Sequence, residues 1–215
     1  MNLIFFRTFL LSFLLTQITF ASDHAKGFNP PKVQQQLYHL AKLYHFVAAK
    51  EFKSILETQL ENYRPIFEKI GHKYNVPWTL LATQAYQESR WQSLIEEELE
   101  KRAKFLSEVQ KSLPKNLEGK NIWALGLVAY KLGKEHFYDA QSLTALHGKN
   151  PHLWKDLKEI VPLLHYKYYY KNLRYGYANG FDAIAYVDAI QHYYNLLIEY
   201  ELAMLTKESS NGAKK

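Results

Sequence analysis

The sequence predicts an all-α protein, on three observations. Apolar residues recur at helical spacing through most of the chain. No stretch alternates apolar and polar residues as a half-buried strand would. The breaks between periodic segments coincide with proline or glycine, as at Arg64-Pro65, Gly71, Gly133 and Asn179-Gly180.

Pro30-Pro31 opens a helical pattern through Val33, Leu37, Leu40, Tyr44 and Val47 that continues to Ile55, Leu56 and Leu60. Arg64-Pro65 then starts a short helix with Ile66, Phe67 and Ile70, stopped at Gly71. Pro77 suits the first turn of the next helix, where its missing N–H is not needed, and that helix runs to Trp91. Leu94–Leu113 reads as amphipathic, with Ile95, Leu99, Ala103, Leu106 and Leu113 inside. Its Glu97/Lys101, Glu98/Arg102 and Glu100/Lys104 pairs are i,i+4 neighbours in the favourable order, and the acidic run Glu96–Glu98 suits a helix N-terminus. They form a solvated face with no catalytic role.

Pro114–Asn121 reads as a loop. Ile122–Leu132 is apolar nearly all round, which predicts a central buried helix closed by Gly133. A helix over Glu135–Leu146 follows, then, after Trp154–Leu164, a tyrosine-rich run from Tyr166 to Tyr177. The last helix is expected from about Asp182 to Met204, with Ala183, Val187, Ile190, Tyr194 and Leu197 inward. A polar tail, residues 206–215, is expected to be disordered. No internal repeat is present.

Met1–Ala21 has the layout of a secretory signal: Arg7, an apolar run from Phe9 to Phe20, and small residues for cleavage after Ala21. The run is short for a membrane span, which needs about 20 apolar residues, so a cleaved signal is favoured over an uncleaved anchor. The expected mature protein is periplasmic, with no stable membrane span. The chain has no cysteine, so neither a disulfide nor a lipidated cysteine is available. Its net charge is +6, and losing Arg7 would leave it basic. Such a protein is drawn to anionic surfaces, including an acidic wall polymer. No zinc-ligand spacing, Walker loop or RNP-like motif directs it to nucleic acid.

Glu88 is the one catalytic candidate in the pattern. Leu81, Ala85 and Glu88 fall at i, i+4 and i+7, so Glu88 ends an apolar stripe. Desolvation there disfavours the charged form, and a carboxyl kept protonated can serve as a general acid. Spacing alone fits better a helix-terminal glutamate that has merely reached the surface. The tyrosine-rich run offers rings for sugars to stack on, although half or more of its tyrosines are expected in the core. The 9 histidines show no HExxH or close pairing, so no metal or other cofactor is expected.

From about Tyr63 to Tyr200 the chain resembles the transglycosylase (SLT) domain of soluble-type lytic murein transglycosylases, most closely their membrane-bound F branch. The resemblance is carried by Tyr63-Arg64-Pro65-Ile66-Phe67, Trp78-Thr79-Leu80-Leu81-Ala82 and Tyr86-Gln87-Glu88-Ser89-Arg90-Trp91. It continues in Ile122-Trp123-Ala124-Leu125, Ala129-Tyr130, Asp139-Ala140-Gln141-Ser142-Leu143-Thr144 and Gly148-Lys149-Asn150-Pro151. Trp154-Lys155-Asp156-Leu157-Lys158, Pro162-Leu163-Leu164, Arg174-Tyr175-Gly176-Tyr177-Ala178 and Tyr186-Val187-Asp188-Ala189-Ile190 complete it.

The resemblance implies a shortened lysozyme-like helical domain over residues 63–205, preceded by a signal (1–21) and a leader with an extra helical segment (22–62). It also implies cleavage of the β-1,4 bond between N-acetylmuramic acid and N-acetylglucosamine in peptidoglycan. The product is a 1,6-anhydro end, because the sugar's own C6 hydroxyl replaces water. One carboxyl then suffices, unlike the two of most glycosidases. By this resemblance Glu88 is the acid/base, and Ser89, Tyr130 and Tyr186 contact substrate. Peptidoglycan strands are the expected partner, with cell-wall synthesis proteins as further candidates.

The sequence departs from the family in three ways. No Gly-Leu-Met-Gln-type motif follows Trp91, Lys131 stands where the family has Asn after Ala-Tyr, and the binding-protein-like domain of the F branch is replaced by Val33–Leu60. These departures keep open a degenerate domain that binds glycan or a wall partner without cutting it. A basic helical interaction protein unrelated to glycan is a third reading.

Overall fold

The computed structural model describes the backbone of residues 31–92 and 94–212. The expected signal segment and the leader up to residue 30 lie outside the described residues, as does the end of the tail, 213–215. Among the described residues there is no strand. The helices are α1 (Pro31–Tyr74), α2 (Trp78–Ser89), α3 (Glu96–Ser112), α4 (Gly119–Leu132) and α5 (Lys134–Leu146), then α6 (Trp154–Ile160), a 3₁₀ turn (Val161–His165), α7 (Lys167–Tyr170) and α8 (Gly180–Gly212). The all-α expectation holds, and it agrees with the lysozyme-like helical domain that the resemblance implies.

The chain forms two compact units. Among the described residues, Val47–Glu108 and those from Asp188 onward make one, and Val109–Val187 with those up to Phe46 make the other.

In the first unit, apolar side chains of α1, α2, α3 and α8 are buried, among them Phe52, Phe67, Leu81, Leu99, Leu106 and Leu197. The ring of Tyr86 lies 4.4 Å from Phe52 and 4.8 Å from Tyr193, tying three helices together. Arg64 grips both carboxylate oxygens of Glu201 at 2.8 and 2.6 Å and lies over the Trp78 ring. Lys69 and Lys73 of α1 bind Glu96 and Glu100 at 2.6 and 2.7 Å. The acidic N-terminus of α3 therefore has partners on a neighbouring helix as well as within its own, where Lys101 lies 3.0 Å from Glu97.

Several sequence expectations change here. Pro65 does not begin a helix; it sits inside α1. Its ring is on an exposed face, where the carbonyl left unpaired by the missing N–H can be hydrated. Gly71 does not stop α1 either. A Cβ there would stand 2.7 Å from the Val76 carbonyl oxygen, so the glycine permits a close approach. The helix ends at Asn75, whose φ of 54° sets up a Schellman motif: Val76 N–H donates to Gly71 O at 2.9 Å and Asn75 N–H to His72 O at 3.4 Å. Pro77 caps α2 from one residue outside it, its carbonyl accepting the N–H groups of Leu80 and Leu81. Ile95 precedes α3 and is exposed, not inward.

In the second unit, α4, α5 and α6 pack on one another. Ala124–Ala129 are all buried, as expected for a central helix, and Gly133 at φ 84° turns the chain directly into α5. Pro162 carries α6 into its 3₁₀ turn. Gly180 fits against that turn: a Cβ there would fall 1.9 Å from the Val161 carbonyl oxygen. Asn179 Oδ1 accepts the Asp182 N–H at 3.3 Å, an N-cap for α8. The buried Asp139 carboxylate accepts the N–H groups of Arg174 and Tyr175 at 3.2 and 2.9 Å, holding the end of the tyrosine-rich run.

None of that run's tyrosines is buried, contrary to expectation: Tyr166, Tyr168, Tyr175 and Tyr177 are exposed, Tyr169 and Tyr170 half-buried. The segment supplies only a one-turn helix, too short to present an inward stripe. In α8 it is Tyr193, not Tyr194, that is buried. That helix also continues to Gly212, past the Met204 end and into the polar tail that the composition had suggested was disordered.

Candidate active site

α2 is buried well beyond one stripe, with every residue from Thr79 to Tyr86 out of solvent. Thr83 satisfies its hydroxyl on the Thr79 and Leu80 carbonyls at 2.9 and 3.1 Å. A helix so enclosed is a rigid platform, and Glu88 and Ser89 form its last two residues. Ser89 Oγ lies 3.3 Å from the Ala85 carbonyl, turned back on its own helix.

The chain leaves α2 through two successive left-handed residues, Arg90 and Trp91, with φ of 54° and 61°. Non-glycine residues held in that region cost about 1–3 kcal/mol each and persist only where the surroundings over-determine them. Here they do. The Arg90 N–H donates to Tyr86 O at 2.8 Å, and the Arg90 guanidinium bonds the Tyr86 hydroxyl and pairs with Glu51 at 3.0 Å. Trp91 is fully buried, donates its indole N–H to Ala82 O at 2.8 Å, and is ringed by Phe67, Tyr63, Tyr86 and Phe52. Burial of the indole stabilises the turn that closes α2 directly after Glu88 and Ser89.

Glu88 is neither sealed nor open, its side chain 29% exposed. Its Oε2 lies 3.8 Å from Nη2 of Arg102 on α3, a side chain only 17% exposed whose Nε is buried without a hydrogen-bond partner. Arg102 was not among the expected site residues and had been placed with Glu98 on a solvated face. Its position was legible: 99, 102, 103 and 106 are spaced i, i+3, i+4 and i+7, so Arg102 shares the inward stripe of Leu99, Ala103 and Leu106.

Tyr130 and Tyr186 belong to the other unit, at the end of α4 and the start of α8. Their rings stack at 6.3 Å between centroids with 20° between planes. Lys131, the residue that replaces asparagine, puts its ammonium 5.3 Å from the Tyr186 ring centre and 3.7 Å from the Asp182 carboxylate. Burial pushes the Asp182 carboxyl above the ordinary aspartate range, and Lys131 opposes that rise. The expected site residues thus form two pairs, Glu88 with Ser89 on one unit and Tyr130 with Tyr186 on the other. Among the described residues no group of three or more His, Cys, Asp or Glu side chains is arranged to hold a metal ion.

No family model matches the chain. It is 31% identical over 195 residues to membrane-bound lytic murein transglycosylase F of Shewanella baltica, covering 77% of this chain and 40% of the relative. The protein of the same name from Haemophilus influenzae is 32% identical over 196 residues, covering 78% of this chain and 40% of its own length. The chain is similar to lytic murein transglycosylase F over most of its length. It spans about 40% of the length of these relatives. The alignment is longer than the part of this chain that enters it, so lytic murein transglycosylase F carries residues without a counterpart here. Among the described residues no helix is long and apolar enough to cross a membrane.

Proposed function

We propose that the chain is a peptidoglycan lytic transglycosylase with Glu88 as its acid/base. In this reading Glu88 gives its proton to the glycosidic oxygen of N-acetylglucosamine as the bond to C1 of N-acetylmuramic acid breaks. The C6 hydroxyl of the muramic residue then attacks C1 and returns its proton to Glu88, leaving a 1,6-anhydro end and a regenerated carboxyl. Water is not consumed, so no second carboxylate is required to activate it. Tyr130 and Tyr186 supply stacked aromatic surface to the sugar, and Ser89 stands beside the acid/base. The protein works in the periplasm after an N-terminal signal is removed.

The observation that carries this reading is the mounting of Glu88: a partly exposed carboxyl at the end of an enclosed helix, which closes in a turn that a buried tryptophan over-determines. Such preorganisation is what an acid/base must have, since misplacement by about 1 Å costs on the order of 100-fold in rate. Incubation with purified sacculi tests it: soluble fragments with 1,6-anhydro ends are expected, and the reading fails if the protein releases no more of them than buffer does.

One observation favours a second reading, a domain that binds the wall without cutting it. The guanidinium of Arg102 against Glu88 gives the carboxyl a structural ion-pair role that needs no chemistry. Retention of the protein on sacculi without fragment release would support that reading.

A further inference from the structure

The tyrosine-rich run of the second unit keeps its rings at the surface in a fixed arrangement. Tyr168 is 75% exposed, and Tyr166, Tyr175 and Tyr177 are exposed with it. The Asp139 carboxylate holds the N–H groups of Arg174 and Tyr175, and His165 packs on both Tyr166 and Tyr177. Tyr169 touches Tyr168 on one side and His147, at the end of α5, on the other. Leu146, the residue before His147, is 79% exposed. Single exposed apolar residues are ordinary, but a held cluster of this kind marks a surface that meets a partner.

The charges define that partner. Lys167, Lys171 and Arg174 are exposed in the same run, and among the described residues none of the three is in an ion pair. The sequence has no Asp or Glu between Glu159 and Asp182, and those two already pair with Lys149 and Lys131. The face is therefore cationic as well as aromatic, and its complement is anionic. A sugar strand suits it poorly. Lys171 and Arg174 stand over the Tyr168 and Tyr175 rings at 5.8 and 5.4 Å, on ring faces where a sugar would stack. The run also has no carboxylate to accept sugar hydroxyls, and Leu146 can bond none. At a lipid interface each group has a place: amphipathic rings at the headgroups, the aliphatic side chain at the acyl boundary, the cations on phosphate.

We propose that this face docks on an anionic lipid bilayer, with Tyr166, Tyr168 and Leu146 in the headgroup region and Lys167, Lys171 and Arg174 on lipid phosphates. The contact is peripheral and needs no spanning helix. Each Lys or Arg close to such a surface strengthens partition by about fivefold, and the attraction is screened by salt.

Because the chain has no cysteine, Asn172→Cys gives a single labelling site, exposed within the run, that leaves every ring and cation of the face in place. Thr58→Cys, exposed on α1, is the control position. Each full chain carries an environment-sensitive fluorophore and is titrated with vesicles of phosphatidylcholine, alone or mixed with phosphatidylglycerol. The proposal expects the fluorophore at 172 to brighten and shift to the blue on the anionic vesicles, with partition to the neutral ones at least about tenfold weaker, and the fluorophore at 58 to stay unchanged. Lys171→Gln and Arg174→Gln should each weaken partition by about fivefold, and Tyr168→Ser should weaken it as well. An unchanged signal at 172, an equal change at 58, or partition indifferent to these substitutions would overturn the proposal. So would a response at 172 to soluble peptidoglycan fragments and none to vesicles, which would make the run a glycan surface. The vesicles hold no wall substrate, so their outcome is independent of whether Glu88 cleaves glycan.

Discussion

Arg102 of α3 places its guanidinium 3.8 Å from the carboxyl of Glu88, which ends α2. The contact gives Glu88 a partner from the helix that follows it directly in the chain, where lytic transglycosylases of the resembled family carry a loop and a Gly-Leu-Met-Gln-type motif. Arg102 is expected to fix the direction of the carboxyl rather than to hold the fold, because methionine in its place keeps an apolar stem in the inward stripe of α3 while Glu88, partly exposed, can be hydrated. Arg102→Met should therefore change the urea midpoint only slightly while lowering release of anhydro fragments from sacculi by about tenfold through misplacement. Arg102→Lys should recover part of that loss, and a variant with full activity would remove Arg102 from the site.

Trp91 is expected to dominate the stability of the turn. Trp91→Ala deletes a fully buried indole and should cost about 3–5 kcal/mol in urea unfolding. Trp91→Phe keeps a ring but loses the bond to Ala82 O, and should cost less, with about 1 kcal/mol from the bond itself. Equal costs for the two would mean that the hydrogen bond and not the packing holds the turn.

Gly180 has no room for a side chain, since a Cβ would meet the Val161 carbonyl. Gly180→Ala should destabilise the protein by about 1–3 kcal/mol although alanine is the better helix former. A calorimetric midpoint at or above that of the wild type would contradict the close approach.

Asp182 sets a pH dependence whose sign follows from its raised carboxyl. The folded state holds its proton more tightly than the unfolded chain, so stability falls as pH rises from the ordinary aspartate range through the raised value and is constant beyond it. Asp182→Asn should flatten that fall in mildly acidic buffers. Lys131→Met removes the charge opposing the rise and should steepen it. Urea midpoints measured across that range decide both.

Most helices were legible because their burial is local. Leu99, Ala103 and Leu106 mark α3, and Ala124–Ala129 mark α4, without knowledge of what covers them. Misplaced boundaries trace to residues whose roles lie outside their own segment. Pro65 is tolerated because its face of α1 is exposed, Gly71 answers the approach of Val76, and Gly180 answers Val161. The tyrosine-rich run misled because aromatic content suggests a core, whereas a one-turn helix held by Asp139 leaves its rings outside. In the site, Glu88 stood out from spacing and from its ordered neighbours. Arg102 was hidden by assigning it to a local pair with Glu98, although it shared a stripe with Leu99. The Lys131–Asp182 pair spans two helices that no local pattern connects.

The central claim is that Glu88 cleaves peptidoglycan without water. Its most direct test is mass spectrometry of fragments released from purified sacculi in ¹⁸O-labelled water by the wild type and by Glu88→Gln. The account predicts unlabelled 1,6-anhydro ends from the wild type and none above background from the variant. Labelled reducing ends, or equal release by the two proteins, would contradict it.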